Sequence, residues 1–318
     1  MDESSCGELC ISCDLNTLIP LLYTIPTFIL YFITIRLIYK NKEFHSLFYV
    51  HYVTIAVGNC LFWISQNILD RLLRLTIVCS FFLEHFGEPN HWFFVIKLIY
   101  LYCPLLIFLT STLLILNRLT AICFPITLHN VWQNHQKKIV LFQFILPIVF
   151  GFHAIPWQIS LEPVRWRTGL FVNYITTWPH LPLGIANSSV GAVCVFIMII
   201  STSYTFYIIS TTKIRSQNNK NIEFNLFLTA LFLSSITIMF CAYQIIYFTT
   251  SQTRNRRAFY TVAKYRGPIV DVYSLLPAWV FALFQKRIRD NLFRRFHLMK
   301  PRSPVTTTPF NQNILISV

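Results

Sequence analysis

The sequence predicts an all-α membrane protein, a bundle of seven transmembrane helices with the N-terminus outside, and three observations predict it. Only 12% of its 318 residues are charged, about half the roughly 25% of soluble domains, too few to cover a surface facing water. Apolar runs of about 20 residues, enough to cross a bilayer at about 1.5 Å rise per residue, recur along nearly the whole chain. Lys and Arg also gather on one set of connecting segments. With lipid as the solvent, the net charge of +14 concerns orientation; membrane lipids are the expected partner, and no nucleic acid is.

Residues 1–16 form the expected extracellular N-terminus. Their opening, MDESSCGELCISCD, holds four acids and no Lys or Arg, the reverse of a signal-peptide n-region, so the first apolar run is expected to be a retained helix. The bundle, residues 17–284, comprises apolar windows at 17–39, 48–69, 93–117, 139–160, 183–209, 224–248 and 267–284. No alternation points to a lipid-facing barrel, so every span is expected to be helical. Pro26, Pro104, Pro147, Pro156 and Pro277 lie inside windows, which membrane helices tolerate when neighbours satisfy the freed carbonyl. The second window has the weakest boundary, because Asp70, Arg71 and Arg74 interrupt it.

With the N-terminus outside, the inner segments hold 15 Lys and Arg, including seven in the tail, and the outer segments hold nine. The balance and the acidic N-terminus agree; the basic third outer segment, TRNRRAFYTVAKYR, does not. This topology puts Cys6, Cys10, Cys13 and Cys79 on the oxidising side, where disulfides between the N-terminal segment and the first outer loop are open in any connectivity. A metal reading of Cys-x3-Cys-x2-Cys lacks a fourth ligand. Cys60, Cys103, Cys123, Cys194 and Cys241 fall in or beside apolar runs, as small core residues do. The one glycosylation sequon, Asn187-Ser188-Ser189, lies in the fifth window and is expected to be unused.

Arg118 follows the third window directly, within LNRLTAICFPI, at the inner helix end. Two readings of it are open. A charge near the membrane edge can snorkel as a positive-inside anchor; alternatively its five donors hold inner helix ends together and release them on activation. Rhodopsin-like receptors carry an acid, an arginine and an aromatic here, then a proline seven residues on. This chain has Asn117, Arg118, Leu119 and Pro125. The wider stretch TSTLLILNRLTAICFPITLHNVW, with Trp132 seven beyond the proline, resembles the nematode chemosensory receptors called serpentine receptor class gamma. The seventh window, DVYSLLPAWVFALF with Pro277 followed by QKRIR, is similar to the end of that family's seventh helix.

The resemblance implies a small-molecule ligand, a heterotrimeric G protein as partner, and a multi-pass location in the plasma membrane of sensory cells. It places Asn117, Arg118, Pro125 and Trp132 at the G-protein face and makes Pro277 a switch in helix seven. Asn117 in place of the acid removes a charge-assisted partner of about 1.5–3 kcal/mol, so the resting restraint on Arg118 is looser or built from other groups. Polar residues inside windows mark candidate sites: Asn59, Gln66, Lys97, His153 and Asp271. Lys97 and Asp271 are the candidate ligand pocket, either paired between helices three and seven or separate, with Lys97 snorkelling outward.

Residues 285–299 present Ile288, Leu292, Phe293 and Phe296 on one helical face, with Arg287, Arg289, Asp290, Arg294 and Arg295 elsewhere. They read as an amphipathic helix on the inner leaflet or as a stop-transfer flank. Residues 300–318 read as a disordered tail with phosphorylatable hydroxyls.

Catalysis is not expected: none of the nine histidines is three or four residues from another, as a metal site on one helix face needs, and no cofactor is anticipated. The rival is a seven-helix ligand-gated channel of the odorant-receptor type, whose N-terminus lies inside. A transporter is disfavoured because no repeat relates the two halves. The aromatic content of 16% suits apolar odorants, pheromone-like lipids and ordinary packing alike.

Overall fold

The computed structural model describes residues 11–41, 46–74, 81–82, 84–85, 92–123, 127–151, 159–163, 170–174, 180–211, 217–253 and 256–295. Seven long helices run through these residues: α1 (Ile11–Lys40), α2 (Leu47–Gln66), α3 (Trp92–Cys123), α4 (Thr127–Gly151), α5 (His180–Thr211), α6 (Gln217–Gln252) and, after the short α7 (Arg256–Lys264), α8 (Arg266–Phe284). A terminal α9 spans Lys286–Arg295. Six of the described helical stretches are long and apolar enough to cross a membrane. Lipid offers the backbone no hydrogen-bonding partner, so helices that satisfy themselves internally are the expected solution. The chain is accordingly a multi-pass membrane protein.

Several boundaries differ from the apolar windows. α1 begins at Ile11 rather than 17, and the described part of α4 ends at Gly151. The fourth window was expected to run to 160, yet Ile159–Pro163 (β1) pairs antiparallel with Leu170–Tyr174 (β2), a small hairpin added to the otherwise helical architecture. α2 does not stop where Asp70 interrupts its hydrophobicity. It continues through a π-helical turn, Asn67–Arg71, and a 3-10 turn, Leu72–Arg74, because Asn67 and Arg71 bond within the turn, Nη1 to Oδ1 at 2.8 Å. A hydrophobicity window misses such an extension, since its polar side chains are satisfied by each other.

α2 and α3 form the centre of the packing. A Cβ on Gly58 of α2 would sit 3.1 Å from Ile107 of α3, and one on Gly191 of α5 2.9 Å from Cys241 of α6 and 3.2 Å from Phe108 of α3. Small residues permit such backbone approach where lipid gives no hydrophobic drive between helices. Leu22, Ile25 and Phe32 of α1 and Phe196, Ile200 and Phe206 of α5 are exposed, as lipid-facing surfaces are. Polar ties inside are specific: His51 Nδ1 of α2 lies 2.9 Å from Gln143 Oε1 of α4, whose Nε2 donates to Thr54 Oγ1. Asn59 Nδ2 donates to Tyr31 Oη, and Tyr31 donates at 2.7 Å to the Ser274 carbonyl of α8. That carbonyl lies one turn before Pro277, beside the Tyr273 carbonyl the proline cannot serve. Tyr31 thereby joins α1 to α8 at its proline-altered turn.

Candidate functional site

Two polar centres stand at opposite ends of the bundle. The first surrounds Asp271 of α8, which is buried. Its carboxylate accepts from four donors on two other helices: Arg71 Nη1 at 3.0 Å and Nη2 at 2.5 Å, Trp63 Nε1 at 2.9 Å, and Tyr23 Oη at 2.5 Å. The Arg71 contact is the bidentate fork that a planar guanidinium makes with a carboxylate. The π turn that ends α2 carries Arg71 to this position, and Gly267 lets α8 come close: a Cβ there would meet Arg71 Nη2 at 3.1 Å. The result fastens α1, α2 and α8 at one point.

Beside it stands a second charged group built on Tyr100 of α3. The Arg266 guanidinium donates to Tyr100 Oη and lies 5.3 Å from the Tyr100 and 5.2 Å from the Tyr247 ring centre, and Lys97 Nζ lies 5.0 Å from the Tyr100 ring. Cations over aromatic faces are held by the ring quadrupole, the more so when water is excluded. Asp70 is within electrostatic reach of Lys97 and Arg266 and accepts from Gln66 Nε2 at 3.2 Å. Among the described residues, Arg71, Lys97, Arg266, Asp70 and Asp271 thus gather at this end beside Tyr23, Trp63, Tyr100 and Tyr247.

The second centre surrounds Arg118. This side chain is only 7% exposed, deep for a snorkelling anchor. Its Nη2 donates to Asn117 Oδ1 at 2.8 Å, and its guanidinium lies 4.7 Å from the Phe48 ring centre. Phe48 continues into an aromatic cluster on α8: Phe281 stacks on Phe48 at 6.5 Å and on Tyr52 at 3.3 Å, and meets Tyr49 edge-on at 6.2 Å. Next to it, Gln285 Nε2 donates to Thr229 Oγ1 of α6 at 2.7 Å. Trp132 of α4 donates to Thr120 Oγ1 of α3 at 2.7 Å, tying the start of α4 to the end of α3. Between the two ends the interior is aromatic: Phe240 stacks on Tyr273 at 3.8 Å, and Phe62 touches Tyr100, Phe240 and Tyr273 with centroids at 5.4, 5.6 and 5.9 Å.

A family model described as the Srg family chemoreceptor matches residues 17–292. The chain belongs to the Srg family of chemoreceptors. Its Caenorhabditis elegans relatives include serpentine receptor class gamma-69, 23% identical over 86% of this chain and 80% of that protein. Class gamma-11 is 23% identical over 92% of this chain and 88% of its own length. The Srg assignment makes this a serpentine chemoreceptor, a class that is not enzymatic; among the described residues, no cluster of three His, Cys, Asp or Glu is placed to hold a metal.

Within this Srg chain the expected residues fall unevenly. Of the candidate pair Lys97 and Asp271, Asp271 is engaged by Arg71 in a bidentate contact, and Lys97 lies over the Tyr100 ring at the same end. Arg71 and Arg266 counted as outer-loop charges in the sequence and Arg118 as an inner one, but all three are drawn into the bundle by partners, leaving seven loop charges expected outside and 14 expected inside. Asn117 and Arg118 stand together, with Trp132 one bond away at Thr120. Pro277 is buried in α8. Pro125, His153, Cys6, Cys10 and Cys79 lie outside the described residues, and of Cys13 only the helical backbone is described. Sequence reading missed Tyr23, Trp63 and Tyr100, for which the 43 other Phe and Tyr supply camouflage rather than signal. Arg71 and Arg266 did carry one, as arginines adjoining apolar windows without a loop to hold them.

Proposed function

We propose that this chemoreceptor binds a small molecule at the Asp271 end of the bundle, facing outside, and signals to a heterotrimeric G protein at the Arg118 end. The observation that carries the reading is that α2 and α8 each contribute to both centres. α2 supplies Trp63 and Arg71 to one and Phe48 and Tyr52 to the other; α8 supplies Asp271 and Phe281. Ten residues separate Asp271 from Phe281, about 15 Å of helix. A ligand that competes for the Arg71 fork changes how α2 and α8 meet, and Phe281 then moves against Phe48 and Tyr52, which frame Arg118. Asn117 and Phe48 together replace the acid that such receptors place beside the arginine, giving Arg118 a resting restraint without a carboxylate.

Activation is then a population shift, with size set by the ligand's preference for the open arrangement. α9 follows α8 at this face with Ile288 buried in the bundle, and its basic amphipathic sequence suits the inner leaflet. The test is expression in cells carrying a G-protein reporter, with epitope mapping of both termini. A ligand-evoked response with the N-terminus outside is expected; a ligand-gated current independent of G protein, with the N-terminus inside, overturns the proposal in favour of a channel.

A further inference from the structure

We infer that His51 is the second seat of the Arg118 guanidinium: its Nε2 accepts a guanidinium N–H once the aromatic contact between α2 and α8 opens. The inference rests on the receptor reading above and deepens it by naming what receives Arg118 when it leaves the Phe48 ring. Two observations carry it. The first is a chain of hydrogen bonds that fixes the imidazole. Thr54 Oγ1 donates its one proton to the Val50 carbonyl at 3.1 Å, so it accepts from Gln143 Nε2 at 3.3 Å. The Gln143 amide is thereby oriented with Oε1 toward His51 Nδ1, 2.9 Å away, and Nδ1 carries the proton. In the neutral ring this leaves Nε2 a bare acceptor. His51 is 0% exposed, and among the described residues its Nε2 has no hydrogen-bond partner. A buried acceptor left so is costly, the more so in a span where lipid offers no donor.

The second observation is where that nitrogen stands. His51 follows Phe48 by three residues on α2, the spacing that sets side chains side by side on a helix face, and Arg118 rests 4.7 Å from the Phe48 ring centre. The Arg118 charge reaches His51. A guanidinium has only donors, so it complements a bare imidazole nitrogen, and the resulting bond is charge-assisted. Phe281 of α8 stacks on both Phe48 and Tyr52, which bracket His51 on α2. Its withdrawal frees the Phe48 ring to turn and lets the guanidinium cross to Nε2. Arg118 then passes between two neutral seats, Asn117 with Phe48 at rest and His51 in the active arrangement.

The experiment compares His51→Asn with His51→Gln in the full chain carrying Phe48→Leu, whose raised basal G-protein signalling needs no ligand. Asparagine reproduces the Nδ1 donor toward Gln143 and deletes the acceptor at the Nε2 position; glutamine keeps an acceptor there and loses the donor. At equal surface expression, His51→Asn is expected to lower basal output by about fivefold or more, the worth of one hydrogen bond, and His51→Gln to keep about half of it or more. A histidine that only fastens α2 to α4 ranks the two the other way; that order, or an unchanged output in His51→Asn, overturns the inference. Nitrogen-15 NMR of histidine-labelled native chain in micelles reads the atom itself. Nε2 is expected at the shift of an unprotonated nitrogen at rest, and is expected to move toward that of a hydrogen-bonded one with nucleotide-free G protein, a movement lost in Arg118→Ala. A proton on Nε2 at rest, or a shift indifferent to bound G protein, overturns it as well. Signalling that survives His51→Asn sinks the seat and leaves the receptor standing, whereas no G-protein binding or response in any of these chains sinks the receptor reading and the seat with it.

Discussion

Asp271→Asn is the perturbation with the largest consequence worked from the geometry. The carboxylate takes four hydrogen bonds, two of them from Arg71. An asparagine keeps one acceptor oxygen, so Trp63 or Tyr23 retains a neutral bond, but the Arg71 side chain, only 14% exposed, loses its counter-charge. Removing one partner of a buried pair costs about 3–5 kcal/mol. At roughly 2 °C of Tm per kcal/mol for a chain of this size, the purified protein should melt about 6–10 °C lower. Asp271→Glu, which keeps the charge but shifts the fork, should fall between. In a double-mutant cycle, Arg71→Gln with Asp271→Asn should cost clearly less than the sum of the single losses, with coupling of at least about 2 kcal/mol, since the second substitution removes a charge already stranded by the first. Additive losses, or a drop below about 2 °C for Asp271→Asn, would refute the pairing as a fastening of α2 to α8.

Phe48→Leu removes the ring beneath Arg118, a desolvated cation–π contact of about 2 kcal/mol, and should raise basal G-protein signalling in a reporter cell roughly tenfold or more; an unchanged basal level contradicts the restraint. Gly191→Ala places a Cβ 2.9 Å from Cys241 Sγ and should cost about 1–3 kcal/mol of stability by overpacking, with Cys241→Ala restoring much of the lost Tm. Gly267→Ala pushes on Arg71 Nη2 from 3.1 Å and should lower Tm by a few degrees in the native chain, and by less when Arg71 is already Gln. Trp132→Phe deletes the donor to Thr120 and should cost about 0.5–1.5 kcal/mol, read as faster amide exchange at the α3–α4 turn.

Spans were legible because their cause is local: about 20 apolar residues in sequence need a helix wherever they meet lipid. Arg118 was legible for a similar reason, as an arginine abutting such a run, although its neighbour Phe48 was not, since one phenylalanine among 30 carries no mark of what it touches. Asp271 stood out as an acid inside a window, but its partner did not. Lys97 was weighed as a partner because both residues fall in the outer parts of their windows, and Arg71 read as a loop charge that the π turn carries inward. Partner choice in a bundle depends on how helices rotate and how α2 ends, and both are settled by packing between segments up to 248 residues apart. The β1–β2 hairpin was hidden because its first two residues, Ile159 and Ser160, close the apolar fourth window and the rest lies in the segment read as an outer loop.

The central claim is that the two ends are coupled, and coupling must be reciprocal. The most direct measurement is ligand affinity in the purified receptor with and without nucleotide-free G protein, compared between the native chain and Arg118→Ala. The account predicts that G protein tightens ligand binding within the usual range of about 5- to 150-fold, and that Arg118→Ala abolishes this gain while leaving affinity without G protein nearly unchanged. Ligand affinity indifferent to G protein in the native chain, or a full gain retained in Arg118→Ala, would contradict it.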